Sequence, residues 1–419
     1  LPVPRCEGVS LTQMLSGPLR IDHPRQGDSL APGHWQLAKG TAELEFYSGA
    51  SVILEAPAEL EILSEEKGRL HAGKLRAEVP RHAQGFTIAT PEIELVDLGT
   101  SFGIEVQDGE GTSVHVFDGE VELYEPQGAS GSRSGQSLFA GEGRMIESGG
   151  GASDIAADEG RFLSPTEFDR VADVRLKQGI QRWWDSAGVL RTDDDLIAYN
   201  AFQPEPEMAV SRSLTNWASN NDVRLSGSII GATWTDGRWP GKGSLEFKRP
   251  ADRVRISVPN IVESMTLVAW VRIDGFDNRF SSLLLSDGWA RPGALHWQIR
   301  DDLVAELAVW YGERQDTYNS NAPFVMEPSD FGRWMQLAVI YDGSSGMVTH
   351  FRDGSVLGTA MVDATIPLAI GNAEIGNWTP RPRSQREVRN FNGRIDELMI
   401  FDRALRPDEL LELYHHGKP

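Results

Sequence analysis

Two kinds of side chain in this sequence could act on or hold a ligand: closely spaced carboxylates, and aromatic rings outside the core. Cleaving a glycosidic bond needs two carboxyl groups facing each other across it, about 5 to 9 Å apart. The closest spacings that invite this reading are Glu92-Ile93-Glu94 and Asp396-Glu397. Adjacent residues of a strand point to opposite faces, so Asp396 and Glu397 are expected to diverge. The rings fit a different chemistry. Trp289 in SDGWARPG and Trp378 in GNWTPRPR lie among Gly, Asp, Asn and Pro, and Trp297, Trp310, Tyr311 and Tyr318 have similar neighbours. Such settings predict loops or strand ends, where a ring open to water can stack on a pyranose while Asn, Asp and Arg bond its hydroxyls. Isolated exposed rings are common, so Trp289 and Trp378 rank first and Trp297, Tyr311 and Tyr318 follow. The histidines, His115 and His350 included, sit in strand or loop patterns without partners at ligand spacing, and no His or Cys cluster suggests zinc.

The elements that must position these groups are strands. From Phe86 to Leu123 apolar residues recur at spacing two: Phe86 and Ile88, Ile93 and Leu95, Phe102 to Val106, Val114 and Val116, Val121 and Leu123. That period marks half-buried strands with their carboxylates on the wet face. Asp118-Gly119 between two such runs reads as a two-residue hairpin turn, and so does Asp353-Gly354. Gly73-Lys74 reads as a turn leading to Leu75, Ala77 and Val79. SGPLRI (16–21) could be a first short strand. Strands this short and this close indicate a sandwich or a stacked-strand coil.

One strong helix interrupts them. In Ser164 to Ala187, Ser164, Pro165 and Glu167 have the spacing of a capping box, and Phe168, Ala172, Leu176, Ile180 and Trp184 recur every four residues. Its stripe predicts docking onto a neighbouring β domain, and Gly179 should weaken it by about 1 kcal/mol relative to Ala. The Gly- and Ser-rich segments PQGASGSRSGQS and ESGGGAS read as a mobile loop and a domain boundary.

With 419 residues, more than one domain is expected. A formal charge of −21 excludes a nucleic-acid backbone as partner and disfavours an anionic membrane surface. One cysteine, Cys6, excludes an internal disulfide, and PVPRCEG lacks the small residues that precede a lipid-modified cysteine. No apolar run reaches the length of a membrane span. Leu1 in place of Met predicts an upstream segment such as a signal peptide or anchor.

Thr90 to Val106 and Val114 to Leu123, with GTAELEFYSGASVILEAPAELEIL and LHAGKLRAEVP before them, resemble the signature of FecR-type domains over residues 30–147. That resemblance implies an extracytoplasmic all-β domain that passes a signal to a sigma factor through parts outside this sequence. WPGKGSLEF, SMTLVAWVRID, RWMQLAVIYDG, FRDGSVLG, PLAIG and FNGRIDELMIFDRALRPDELLELY resemble the laminin-G-like, concanavalin A-like jelly roll over residues 196–416. Trp270 and Trp334 lie inside these strand motifs and are expected in the core. The short closing helix, Pro407 to Tyr414, has Arg406 where a polar cap would stand, so a weak start is expected.

The expected fold is therefore all-β: an N-terminal segment 1–29, a FecR-like domain 30–150, a linker and helix 151–190, and a jelly roll 191–419. Glucanases of this fold carry Glu-x-Asp-x-(x)-Glu on one strand. Neither acidic pair here has the third acid, and Glu92-Ile93-Glu94 lies in the other domain. Jelly rolls of this kind also hold structural calcium, and the resemblance places Asp396 at that position. Asp193-Asp194-Asp195 reads as a solvated charge run. The leading expectation is a non-enzymatic periplasmic or cell-surface protein that couples a glycan- or protein-binding module to signalling. The alternatives are an adhesive surface protein and, last, a polysaccharide-degrading enzyme.

Overall fold

The computed structural model describes residues 9–14, 19–20, 29–125, 135–204, 212–219, 222, 225–287, 289, 291–320, 330–378 and 388–419. Cys6, most of SGPLRI and most of PQGASGSRSGQS lie outside them. The chain divides into two compact units, residues 1–174 and 175–419. Among the described residues, no helix is long and apolar enough to cross a membrane.

In the first unit, fifteen described strands form one continuous hydrogen-bonded sheet. Its spine is the long antiparallel pair Ser51–Ser64 and Lys67–Glu78. Alternation sends Leu60, Ile62, Leu75, Phe102, Ile104, Val114 and Val116 inward to one core and the intervening Glu, Lys and Arg to the opposite face, where Arg76 and Glu105 are themselves covered. Two turn expectations are corrected here. Gly119 takes φ +80°, but the strands beside it do not pair with each other. Gly111–Asp118 pairs with Ser101–Gln107 and Glu142–Glu147, whereas Glu120–Tyr124 pairs with Glu94–Asp97 and Gln136–Phe139. Asp118-Gly119 is thus a corner between two parts of the sheet. Gly73, at φ +101°, lies inside the strand Lys67–Glu78, within the register shift between Ala72 and Lys74, where Pro57 and Ala58 approach too closely for a Cβ. The ESGGG stretch is a hairpin turn between the paired strands Glu142–Glu147 and Ala152–Ala156, so the division between units falls further on.

Helix α1 spans Pro165–Leu190. Its capping box forms as the spacing predicts: the Ser164 N–H donates to Glu167 Oε2 at 3.1 Å, and the Glu167 N–H donates to Ser164 Oγ at 3.3 Å. The first half buries Phe168 and Ala172 against Ile53 of the first unit. The second half buries Trp183 and Ala187 in an aromatic cluster of the second unit with Tyr199, Trp239 and Phe401. Gly179 has a packing reason, since a Cβ there would lie 2.9 Å from Trp239 Nε1.

The second unit is a sandwich of two eight-stranded sheets. Leu267, Ala269, Val271 and Ile273 of the strand Met265–Gly275 face Leu295, Trp297, Ile299, Leu307 and Val309 across the core. Asp353-Gly354 makes the expected two-residue turn, with φ +53° and +75° and Arg352 opposite Ser355. Helix α2, Pro407–Gly417, stacks Tyr414 on the buried Trp270 at 5.8 Å. Its start is firmer than Arg406 suggested, because Glu409 accepts the Arg406 N–H at 2.7 Å and pairs with Arg403.

Candidate functional site

The outward face of the second sheet of the sandwich gathers the rings. In the strand Leu295–Arg300, Leu295, Trp297 and Ile299 go to the core, so alternation turns His296 and Gln298 outward. They are nevertheless only 3% and 2% exposed, because other groups cover them. The Trp289 ring lies on His296 with centroids 3.8 Å apart, and Trp378 meets the same imidazole edge-on at 5.1 Å. Trp310, at the outer end of Ala305–Trp310, stands 5.9 Å from Trp289. Arg389 closes the cluster, with its guanidinium over Trp378 at 4.9 Å and over Phe280 at 4.6 Å.

Polar groups thread between the rings. Arg389 donates to Gln298 Oε1 at 2.8 Å and lies 3.2 Å from His296 Nδ1, while His296 Nε2 lies 3.3 Å from the Ser286 carbonyl. That pattern suits a neutral imidazole accepting at Nδ1 and donating at Nε2. Gln298 donates to Glu306 Oε1 at 2.6 Å. The Trp310 indole N–H is buried without a hydrogen-bond partner among the described residues. Half-buried Trp289 and Trp310 thus carry ring surface near the half-buried Arg389 guanidinium, which the buried Gln298 and Glu306 brace from behind. Such a surface can stack on a sugar ring and bond its hydroxyls.

The structure sorts the sequence-predicted ligand residues. Trp289 and Trp378, far apart in the chain, meet on His296, but only Trp289 stays open to water; Trp378 is 5% exposed because His296 and Arg389 pack against it. Trp297 does not reach a loop; at 1% exposure it fills the core because it shares parity with Leu295 and Ile299. Tyr318 is also buried, and its hydroxyl bonds the Tyr311 hydroxyl at 2.8 Å, so this pair belongs to the sandwich rather than to the ring platform. Burial, with the mutual hydrogen bond adding to it, pushes the half-buried Tyr311 hydroxyl far above its ordinary range. Trp310 was among the candidate rings, whereas His296, Gln298 and Arg389 were missed as site residues by sequence reasoning. For His296 and Gln298 the one signal was alternation with core positions; Arg389, outside any strand, had none.

Asp396 and Glu397 require two corrections. In the strand Asn392–Phe401, Trp270 pairs with Glu397 and Val271 with Ile395, so Asp396 is the extra residue of a bulge. The bulge brings both acids to one guanidinium instead of opposite faces. Arg238 Nε lies 2.9 Å from Asp396 Oδ1, its backbone N–H donates to Oδ2 at 2.9 Å, and its Nη2 donates to Glu397 Oε2. Glu397 Oε1 also accepts from the Trp183 indole and the Tyr199 hydroxyl, each at 2.5 Å. Lys242 donates to the Asp396 carbonyl at 2.7 Å and to the carbonyls of Ala201 and Gly243.

With both acids at 1% exposure or less, this pair offers no furrow for a sugar. Nor does Asp396 fit calcium. Its carboxylate already faces two fixed cations, and the neighbouring carbonyl that could join a hard-ion shell is taken by an ammonium. Burial lowers the Lys242 ammonium to about 8, although the two carboxylates oppose that shift. Burial raises the Asp396 carboxyl while Arg238 and Lys242 oppose it.

The absence of a His cluster is corrected as well. In the first unit His34 and His71 stack at 5.1 Å beside Glu61, a juxtaposition made by strand pairing rather than by sequence spacing.

Comparison with known proteins agrees with this architecture. Residues 36–122 match the family model described as FecR protein, and residues 250–411 match the one described as Concanavalin A-like lectin/glucanases superfamily. The chain therefore carries a FecR-like domain followed by a laminin-G-like, concanavalin A-like jelly roll. No curated protein matches the chain. Among solved structures it is similar to domain 4 of AbnA, a GH43 extracellular arabinanase from Geobacillus stearothermophilus, in complex with arabinotriose. There the identity is 16%, covering 52% of this chain and 98% of that one, with a TM-score of 0.38. It is also similar to a botulinum neurotoxin type C structure, at 13% identity over 54% and 52% of the two chains and a TM-score of 0.40. The binding domain of Paraclostridial Mosquitocidal Protein 1 gives 13% identity, 54% and 56% coverage and a TM-score of 0.40. The chain spans about half the length of the toxin chains it matches.

Proposed function

We propose that this is a non-enzymatic extracytoplasmic protein whose jelly roll binds a glycan on the Trp289–Trp310 platform, with buried Trp378 supporting it from beneath, and whose FecR-like domain relays occupancy toward a sigma factor. One observation carries the binding half: the half-buried Trp289 and Trp310 rings meet on a single strand face beside the half-buried Arg389, which the buried Gln298 holds in place. A buried charge network seals the only adjacent acid pair of this unit that the sequence suggested for catalysis, which favours recognition over hydrolysis. The relay rests on the FecR-like domain alone and is the family's role carried over.

A glycan array probed with the full chain tests the binding, followed by titration of the best hit against Trp289→Ala and Trp310→Ala. Loss of one stacking ring should weaken binding about tenfold, the equivalent of 1.4 kcal/mol. Silence of the wild-type chain across neutral and acidic polysaccharides would refute the glycan assignment. A transcription reporter that responds to the glycan with wild type but not with Trp289→Ala would support the relay. An unchanged reporter with intact binding would leave an adhesive module instead.

A further inference from the structure

The first unit carries a separate cluster of ligand-type side chains. Three adjacent strands of the first sheet, Gly33–Leu37, Ser51–Ser64 and Lys67–Glu78, present His34, Glu61 and His71 on their outer surface. Pairing sets His34 directly opposite Glu61, and Glu61 opposite Arg69. His71 gets there by an irregularity. Leu60 pairs with Leu70 but Glu59 with Ala72, so His71 is the extra residue of a bulge, a device that re-aims a side chain. His71 Nε2 then lies 3.1 Å from Glu61 Oε2, and His34 Nε2 lies 3.5 Å from Glu61 Oε1. One ligand atom from each of the three residues falls within 4.8 Å of the others. Glu59 Oε1, 3.7 Å from His34 Nδ1, adds a carboxylate at the rim.

We propose that His34, Glu61 and His71 form a binding site for one borderline divalent transition-metal ion, with Zn²⁺ as the probe. Two imidazoles and a carboxylate are the donor set such ions take, whereas calcium and magnesium take oxygen ligands. With Zn–N near 2.0 Å, ligand atoms around a tetrahedral ion stand about 3.3 Å apart. The half-exposed His34 side chain can rotate to close the present spread, while Glu61 and His71 are held by the sheet. Three protein ligands leave a position for water or for Glu59. Arg69 Nη1, 3.4 Å from Glu61 Oε2, competes with the ion for that oxygen. Arg69 therefore sets the affinity below that of the same ligands without it.

The full chain, stripped of metal with a chelator, is titrated with Zn²⁺ by calorimetry and with Co²⁺ by visible absorption. Wild type should bind one ion at this site, with a cobalt spectrum of mixed nitrogen and oxygen ligation. His34→Ala and His71→Ala should each weaken zinc at least tenfold and lose that spectrum, while Arg69→Gln should tighten it. The paired substitution His415→Ala/His416→Ala should leave both readings unchanged. If a histidine variant fails to match the metal-free melting curve of wild type, Arg69→Gln and the wild-type cobalt spectrum still decide. Zinc binding unaltered in folded His34→Ala and His71→Ala, or no zinc bound by wild type, overturns the proposal.

Discussion

Lowering the pH should destabilise the jelly roll through His350, by an amount that can be worked out. His350 sits in the strand Met347–Arg352 at 0% exposure, with Nε2 3.0 Å from the Tyr318 carbonyl and Nδ1 without a hydrogen-bond partner among the described residues. The ring is therefore held neutral: burial lowers its pKa from 6.5 to about 4, with the Tyr318 carbonyl opposing the shift. In the unfolded chain the same ring titrates near 6.5, so between about pH 6.5 and pH 4 the unfolded state binds a proton that the native state refuses. Stability from this group is thus complete above pH 6.5 and is lost as pH falls toward 4. At about pH 4.5 the loss is about 2.5 kcal/mol, from 1.36 kcal/mol per unit over nearly two effective units. Urea unfolding of wild type and His350→Gln, followed by tryptophan fluorescence at about pH 7.5 and about pH 4.5, isolates the term, because other groups cancel in the difference. Glutamine can keep a donor toward the carbonyl yet cannot take up the proton, so its stability should fall less by about 2.5 kcal/mol. A difference between the two proteins that stays constant within about 0.5 kcal/mol across this range would refute a buried neutral imidazole.

Arg238→Met should cost about 3 to 5 kcal/mol in the same urea assay, because Asp396 and Glu397 would stay buried without their guanidinium. A loss below about 1 kcal/mol would mean that the acids find another partner or protonate cheaply. Gly179→Ala adds about 1 kcal/mol of helix preference but drives a Cβ to 2.9 Å from the buried Trp239 indole, and overpacking costs about 1 to 3 kcal/mol. A lower urea midpoint is expected, and a higher one would show that Trp239 yields freely.

Much of the architecture was legible because it rests on short-range periodicity. Spacing two announced the strands, the Ser164/Glu167 pair announced the start of α1, and Asp353-Gly354 announced its turn. Those patterns express local rules of pleat, cap and dihedral, which a residue obeys with its chain neighbours alone. The same periodicity misled wherever one residue was added to a strand. Bulges at Asp396 and His71 reversed parity, which joined two acids to one arginine and moved an imidazole beside Glu61. Trp297 illustrates the limit in the other direction: its polar and loop-like neighbours suggested exposure, but parity with Leu295 and Ile299 assigned it to the core.

By itself, the sequence determined two β domains with a capped helix between them, and it named Trp289 and Trp378 as rings to watch. Only the tertiary structure decided that those rings share His296, that Asp396 answers Arg238 rather than calcium, and that two histidines thirty-seven positions apart are neighbours. The physical reason is that a sheet fixes which distant residues stand side by side through its pairing register. That register is set by the packing of the whole core, not by any segment read alone.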